Sequence, residues 1–358
     1  MSTLGRHRAI AAAGFAIGAL AALLQRWGNP ANLGLCIACF IRDSSGALGL
    51  HRAAAVQYLR PELPGIIIGA WLAALWAGEF RPRGTSSAAF KFALGVLMVF
   101  GALVFLGCPL RAALRLAGGD LSALAGLAGL LAGGYAGGLL VRGGYSTGKA
   151  QPAARFPAFL FIVGALALVA LGAVRPVADL AAGGPIFASS TGPGSLRAAW
   201  PLSLAAGLMV GIAAQRTRLC LIGAVRNPLF SKDFHLTAGL GGILVGAAGL
   251  NLAFGQFRLA AAGPIAHSHI PGNFLGLALV GLAATLAGGC PLRQLVLAAE
   301  GNQDGVATVL GMGVGAALAH NFRLASTTAG PAPLALPLVA VSLALLCLGG
   351  LSMRERPA

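Results

Sequence analysis

Uncharged apolar runs of membrane-spanning length recur along the whole chain. Leu121 to Val141, Phe156 to Val174, Phe234 to Phe257 and Leu324 to Met353 each lie between charged residues, and one crossing needs about 20 apolar residues. A coarse helical reading predicts crossings near residues 9–25, 63–79, 92–107, 121–141 and 156–174, then 200–214, 236–254, 274–289, 305–321 and 334–352. The first run lacks a convincing small-residue cleavage site and is followed by RWGNP, so it reads as a retained helix rather than a removed signal peptide. Four stretches between the runs do not fit. Residues 36–50, 108–118, 220–232 and 290–301 each begin at a cysteine, carry an arginine and are too short and too polar to cross. They read as re-entrant half-helices, whose backbone is tolerated at membrane depth only where protein or a watery cavity covers it.

Laid against itself, the chain shows a duplication. LCIACFIRD (Leu35 to Asp43) matches LCLIGAVRN (Leu219 to Asn227), pairing Cys36 with Cys220, Arg42 with Arg226 and Asp43 with Asn227. The same offset brings His51 onto His235. GCPLR at Gly107 to Arg111 recurs letter for letter at Gly289 to Arg293, pairing Cys108 with Cys290. Gly14/Gly18 and Gly207/Gly211 are G-x-x-x-G pairs at matching places, which allow close helix approach. The predicted division is a first repeat at 1–155, a linker helix and loop at 156–199, a second repeat at 200–322, and a terminal helix and tail at 323–358. Four crossings per repeat and one linker crossing turn the second repeat upside down in the membrane. The fold class is therefore an all-α polytopic membrane protein, with two inverted repeats and re-entrant half-helices around a central cysteine-lined pathway, the frame of many transporters.

Composition agrees. The chain is 57% hydrophobic and only 9% charged, against roughly 25% charged in soluble domains. Its formal charge of +16 would point to nucleic acid in a soluble protein. Here the basic residues are scattered at span ends, with no dense stripe and no aromatic stacking surface, so no nucleic-acid partner is expected. With the N-terminus inside, and leaving out the arginines of the cysteine segments and Arg52 just beyond the first of them, thirteen Lys/Arg from Arg6 to Arg356 fall on the cytoplasmic side. Six fall outside: Arg26, Arg60, Arg175, Arg197, Arg258 and Arg323. That is the positive-inside bias, and it places both termini inside.

The broken segments carry the chemistry. A half-helix that starts at depth offers unpaired N–H groups and the positive end of its dipole to an anion. In GCPLR the glycine permits the turn, and the proline gives up only an N–H that would be free anyway. The cysteine then stands at the helix mouth, a soft, weak donor suited to sulfur or selenium. Candidate substrate contacts are Cys36, Cys39, Cys108, Cys220 and Cys290, with Arg42, Arg111, Arg226 and Arg293 as charge balance, since charges at membrane depth are costly and usually functional. His51 and His235 are further candidates because the duplication pairs them. Cys347 lies in a plain terminal span and reads as packing. Cys36 and Cys39 form a C-x-x-C pair that could exchange thiols or hold half a zinc site. No second pair accompanies it, and Gly223 stands where the repeat would put Cys39. His267 and His269 read as a surface loop beside Pro271. GGD (Gly118 to Asp120) and EGNQDG (Glu300 to Gly305) read as turns. No phosphate loop or nucleophilic triad is present, so no cofactor, no metal and no hydrolytic role are expected.

At these residues the chain resembles the YeeE/YedE sulfur-transport membrane proteins. The stretches that carry the likeness are GNPANLGLCIACFIRD, GALGLHRAAAVQYLRPE, GALVFLGCPLRAALRLAGGD and GGCPLRQLVLAAEGNQD, and they resemble in particular the YedE branch associated with selenium metabolism. The resemblance implies a multi-pass bacterial inner-membrane importer that passes a small sulfur species, such as thiosulfate, along central cysteines by weak S–H contacts. Those cysteines correspond here to Cys36, Cys108 and Cys290, with Cys220 as repeat mate of the first. A small sulfurtransferase-like cytoplasmic acceptor is an implied partner. One departure stands out: the family pattern often has glycine where this chain has Cys39, which fits a selenium-bearing cargo. Two other classes stay open, a membrane thiol redox or sulfur-transfer enzyme working through Cys36 and Cys39, and an anchor subunit with no path of its own.

Overall fold

The computed structural model describes residues 3–85, 87–174 and 186–354. Arg175 and Arg356, both counted in the charge bias, lie outside the described residues. The helices are α1 (Thr3–Arg26), α2 (Ile37–Ala47), α3 (Glu62–Trp76), α4 (Ala88–Phe105), α5 (Pro109–Ala117), α6 (Ser122–Arg142), α7 (Arg155–Val174), α8 (Trp200–Thr217), α9 (Leu221–Ser231), α10 (His235–Ala253), α11 (Ile270–Ala287), α12 (Pro291–Ala299), α13 (Gln303–Asn321) and α14 (Ala335–Ser352). The described sheet is one antiparallel pair of two-residue strands, β1 (Arg83–Gly84) on β2 (Gln151–Pro152), with Arg83 opposite Pro152. Eight helical stretches among the described residues are long and apolar enough to cross a bilayer. The chain is an all-α polytopic membrane protein.

Packing repeats itself with the two halves exchanged. α1 lies along α10 as α8 lies along α3, and α6 lies along α11 as α13 lies along α4. The short helices follow the same rule: α5 sits on α10 and α12 on α3, while α2 sits on α13 and α9 on α6. Each half thus closes over the half-helices of the other. α4 against α11 and α1 against α8 are the contacts that map onto themselves, and they mark the pseudo-two-fold axis.

Small residues set these distances. A Cβ on Gly14 or Gly18 would strike the carbonyls of Gly239 and Ile243 on α10, and one on Gly207 or Gly211 those of Glu62 and Ile66 on α3. Both G-x-x-x-G pairs face the other repeat, with backbone against backbone as close packing in lipid favours.

Loop contacts define two faces. On the near face, Glu79 after α3 pairs with Arg218 after α8 at 2.9 Å, Ser146 N–H donates to Met353 O, and Gln303 reaches Ala154 O. On the far face, Ala198 N–H donates to Asn29, Leu121 N–H to Ala260 O, and Asn321 to Leu50 O. Followed through these contacts, α1, α3, α4, α6 and α7 alternate between the faces, as do α8, α10, α11, α13 and α14. α2 and α5 start at depth and run out to the far face, and α9 and α12 run out to the near face. The half-helices of the two repeats therefore point in opposite directions.

Candidate functional site

Each of the four half-helices begins on a cysteine. Cys36, Cys108, Cys220 and Cys290 are the N-cap residues of α2, α5, α9 and α12, all in extended backbone conformation. In both GCPLR copies proline enters the first turn. The glycine has a separate duty there. A Cβ on Gly107 would lie 2.7 Å from Arg111 Cδ, and one on Gly289 would lie 2.7 Å from Arg293 Cγ. The motif's arginine folds back across its glycine.

The thiols gather in two groups. Cys36 and Cys39 Sγ are 2.7 Å apart, Cys39 N–H donates to Cys36 Sγ at 3.4 Å, and the Cys108 thiol adjoins Cys36. In the second group Leu221 N–H donates to Cys290 Sγ at 3.3 Å, and Cys290 N–H donates to Cys220 Sγ at 3.4 Å. Each of these sulfurs accepts an N–H at the mouth of the other's helix, one of the free donors that a helix start leaves. All are free thiols. None faces lipid: Cys36 and Cys39 are 0% exposed, and Cys220, the most open of the five, is 8% exposed. α2 touches α12 and α5 touches α9, so the two groups adjoin across the axis.

The arginines part company. Arg42 pairs with Asp43 at 2.6 Å, and Asp43 also takes Arg60 at 2.8 Å. Arg293 pairs with Glu300 at 3.2 Å. Arg226 is half-buried and donates to the Asn227 side chain. Arg111 is fully buried. It donates to Asn32 O at 2.9 Å, to Leu106 O, to Ile265 O at 3.0 Å and to Cys39 Sγ at 3.7 Å. Inversion sends the two paired histidines to opposite faces, away from the thiols. His51 takes its place at the far end of α2, with Nε2 3.0 Å from Arg42 O and its ring stacked on His320 at 4.6 Å. Burial lowers its pKa from the ordinary histidine value, against the pull of the Arg42 carbonyl. His235 starts α10 on the near face, edge-on to His7 at 5.3 Å.

Three expectations need correction. His267 is not on a surface loop: it is 1% exposed, 2.9 Å from Val104 O, because the loop before α11 folds inward over the end of α4. Arg60 is not an outer-surface charge but wholly buried on Asp43. The turns GGD and EGNQDG supply counter-ions. Asp120 takes Arg115 at 2.7 Å, while Ser122 Oγ accepts from Arg115 and donates to Asp120. Glu300 takes Arg293. The signal that could have exposed Asp120 and Glu300 is their place one short turn beyond an arginine-bearing half-helix.

On the far face a cavity of about 780 Å³ opens between the loop after α2 and the α13–α14 connection, lined by Arg52, His320 and Arg323 among others. Below it His320 stands beside Arg42, and Arg42 lies within electrostatic reach of the Cys36 and Cys39 thiols.

Residues 216–346 match the family model described as sulphur transport. Over that stretch the chain is similar to the sulphur-transport family. The family match takes in the half-helices of Cys220 and Cys290 with Arg226 and Arg293. The Cys36 and Cys108 half-helices stand outside it and are tied to it by the duplication. No curated protein matches the chain.

Proposed function

We propose that this chain, similar over residues 216–346 to the sulphur-transport family, imports a small anionic sulfur or selenium species, thiosulfate or a selenium analogue, across a bacterial cytoplasmic membrane. The cargo enters from the far face and passes along Cys36, Cys39 and Cys108, then Cys220 and Cys290. One observation carries this reading: four facing half-helices, in two oppositely directed pairs, each open on a cysteine. Positive helix ends attract the anion, and thiols are soft, weak donors that replace part of its lost hydration. Arg52 and Arg323 at the mouth of the far-face cavity attract it from outside. The extra thiol at Cys39 and the likeness to the selenium branch favour a selenium-bearing cargo among the candidates. A sulfurtransferase-like protein is the proposed acceptor on the near face.

Uptake of labelled thiosulfate, selenite and selenosulfate into vesicles tests this, with the unmodified chain set beside Cys290→Ala. At least one species accumulates with the unmodified chain and fails to with the variant. Absence of any chain-dependent uptake defeats the proposal. The short Cys36–Cys39 separation supports a second reading, thiol exchange by that pair. Cys39→Ala separates the two: transport survives it largely intact, whereas dithiol exchange does not.

A further inference from the structure

The duplicated arginines of GCPLR occupy matching places and differ in one respect. Arg293 faces a carboxylate, Glu300, which Arg83 also approaches at 3.4 Å from the rim. Arg111 has no carboxylate within ion-pair distance among the described residues. Its partners are three carbonyl oxygens and the Cys39 thiol, and they leave a full positive charge at 0% exposure. Each of the other buried arginines nearby touches a carboxylate. Arg115, one turn on along α5, is held by Asp120, and Arg42 and Arg60 share Asp43. On the second side, Lys91 rests on the carbonyls of Leu286 and Ala287 with Asp304 as the acid in electrostatic reach. A buried ion without a counter-charge is strongly disfavoured unless something supplies the opposite sign, and carbonyl dipoles supply only part of it. The helix ends of α2 and α5 open at the same place, and they add positive potential to that of the guanidinium.

We propose that Arg111 makes the group formed by Cys36, Cys39 and Cys108 the anion-binding station of the pathway, with the cargo as the missing counter-charge. Glu300, by neutralising Arg293, denies the Cys220/Cys290 group such a station. The duplicated path therefore holds its cargo unequally, firmly on the far-face side and loosely on the near-face side. This rests on the reading that a small sulfur or selenium anion passes these thiols. The mirror position of Glu300 is Gly118 on the same alignment.

Calorimetric titration of thiosulfate into the full chain in nanodiscs tests the proposal, apart from any transport assay. The unmodified chain binds one thiosulfate, Arg111→Lys keeps that site and Arg111→Gln loses it. Glu300→Gln, which leaves the first group untouched, gains a second site. Unchanged binding in Arg111→Gln, or a Glu300→Gln chain with no added site, overturns the proposal. Because Glu300→Gln reads a gain, it answers even if Arg111→Gln does not fold. The result is independent of uptake: binding as described without vesicle uptake defeats transport and leaves the station standing, and uptake without the stoichiometric change does the reverse.

Discussion

At the scale of single residues, buried charges in this protein come with identifiable partners, and the partners are mostly short-range. Asp120 is the clearest case. Its carboxylate holds Arg115 at 2.7 Å and accepts both the hydroxyl and the backbone N–H of Ser122, while Arg115 also reaches Phe105 O and lies over the Phe105 ring at 4.2 Å. These bonds tie the end of α5 to the start of α6. Asp120→Ala leaves Arg115 buried without its counter-ion, and the expected loss is about 3–5 kcal/mol. Reversible unfolding in mixed detergent measures it. A loss no larger than the ~1 kcal/mol of an exposed pair contradicts the role given to this contact.

At the scale of elements, the long helices are held by what their contact faces lack. α1 and α10 approach at Gly14, Gly18, Gly242 and Gly246, each with the opposite backbone where a side chain would stand. Gly18→Val forces the pair apart, and overpacking of this kind costs about 1–3 kcal/mol. Gly241 on α10, around which nothing lies within 4 Å, is the control. Thermal unfolding of Gly18→Val beside Gly241→Val checks the claim: the first falls and the second does not, and equal effects contradict it. Half-helices depend on different rules. α5 and α12 have only nine residues each, too few to persist alone in water, and they exist because helices of both repeats enclose them.

At the scale of the whole molecule, the crossings were legible because lipid demands long apolar runs, and the half-helices because GCPLR and the LC motif recur in order. α3 and α13 fell within a few residues of their expected bounds for the same reason. The partners were less legible. Asp43 meets Arg60 at a separation of seventeen residues, and Cys290 meets Cys220 at seventy, separations at which periodicity says nothing. His267 looked like loop because histidine, serine and proline usually mark a surface. Only the fold turns that segment inward, where Ile265 O meets Arg111. The inversion explains why His51 and His235, matched in sequence, are far apart in space.

The central claim is that the four cysteine-capped half-helices form one continuous path. Uptake of radiolabelled cargo into proteoliposomes, measured for Cys36→Ala, Cys108→Ala, Cys220→Ala, Cys290→Ala and Cys347→Ala in turn, tests it most directly. Each of the first four is expected to lose most of its transport while Cys347→Ala, altered on the outer helix α14, keeps it. Transport at the unmodified rate in Cys108→Ala or Cys290→Ala would contradict the account.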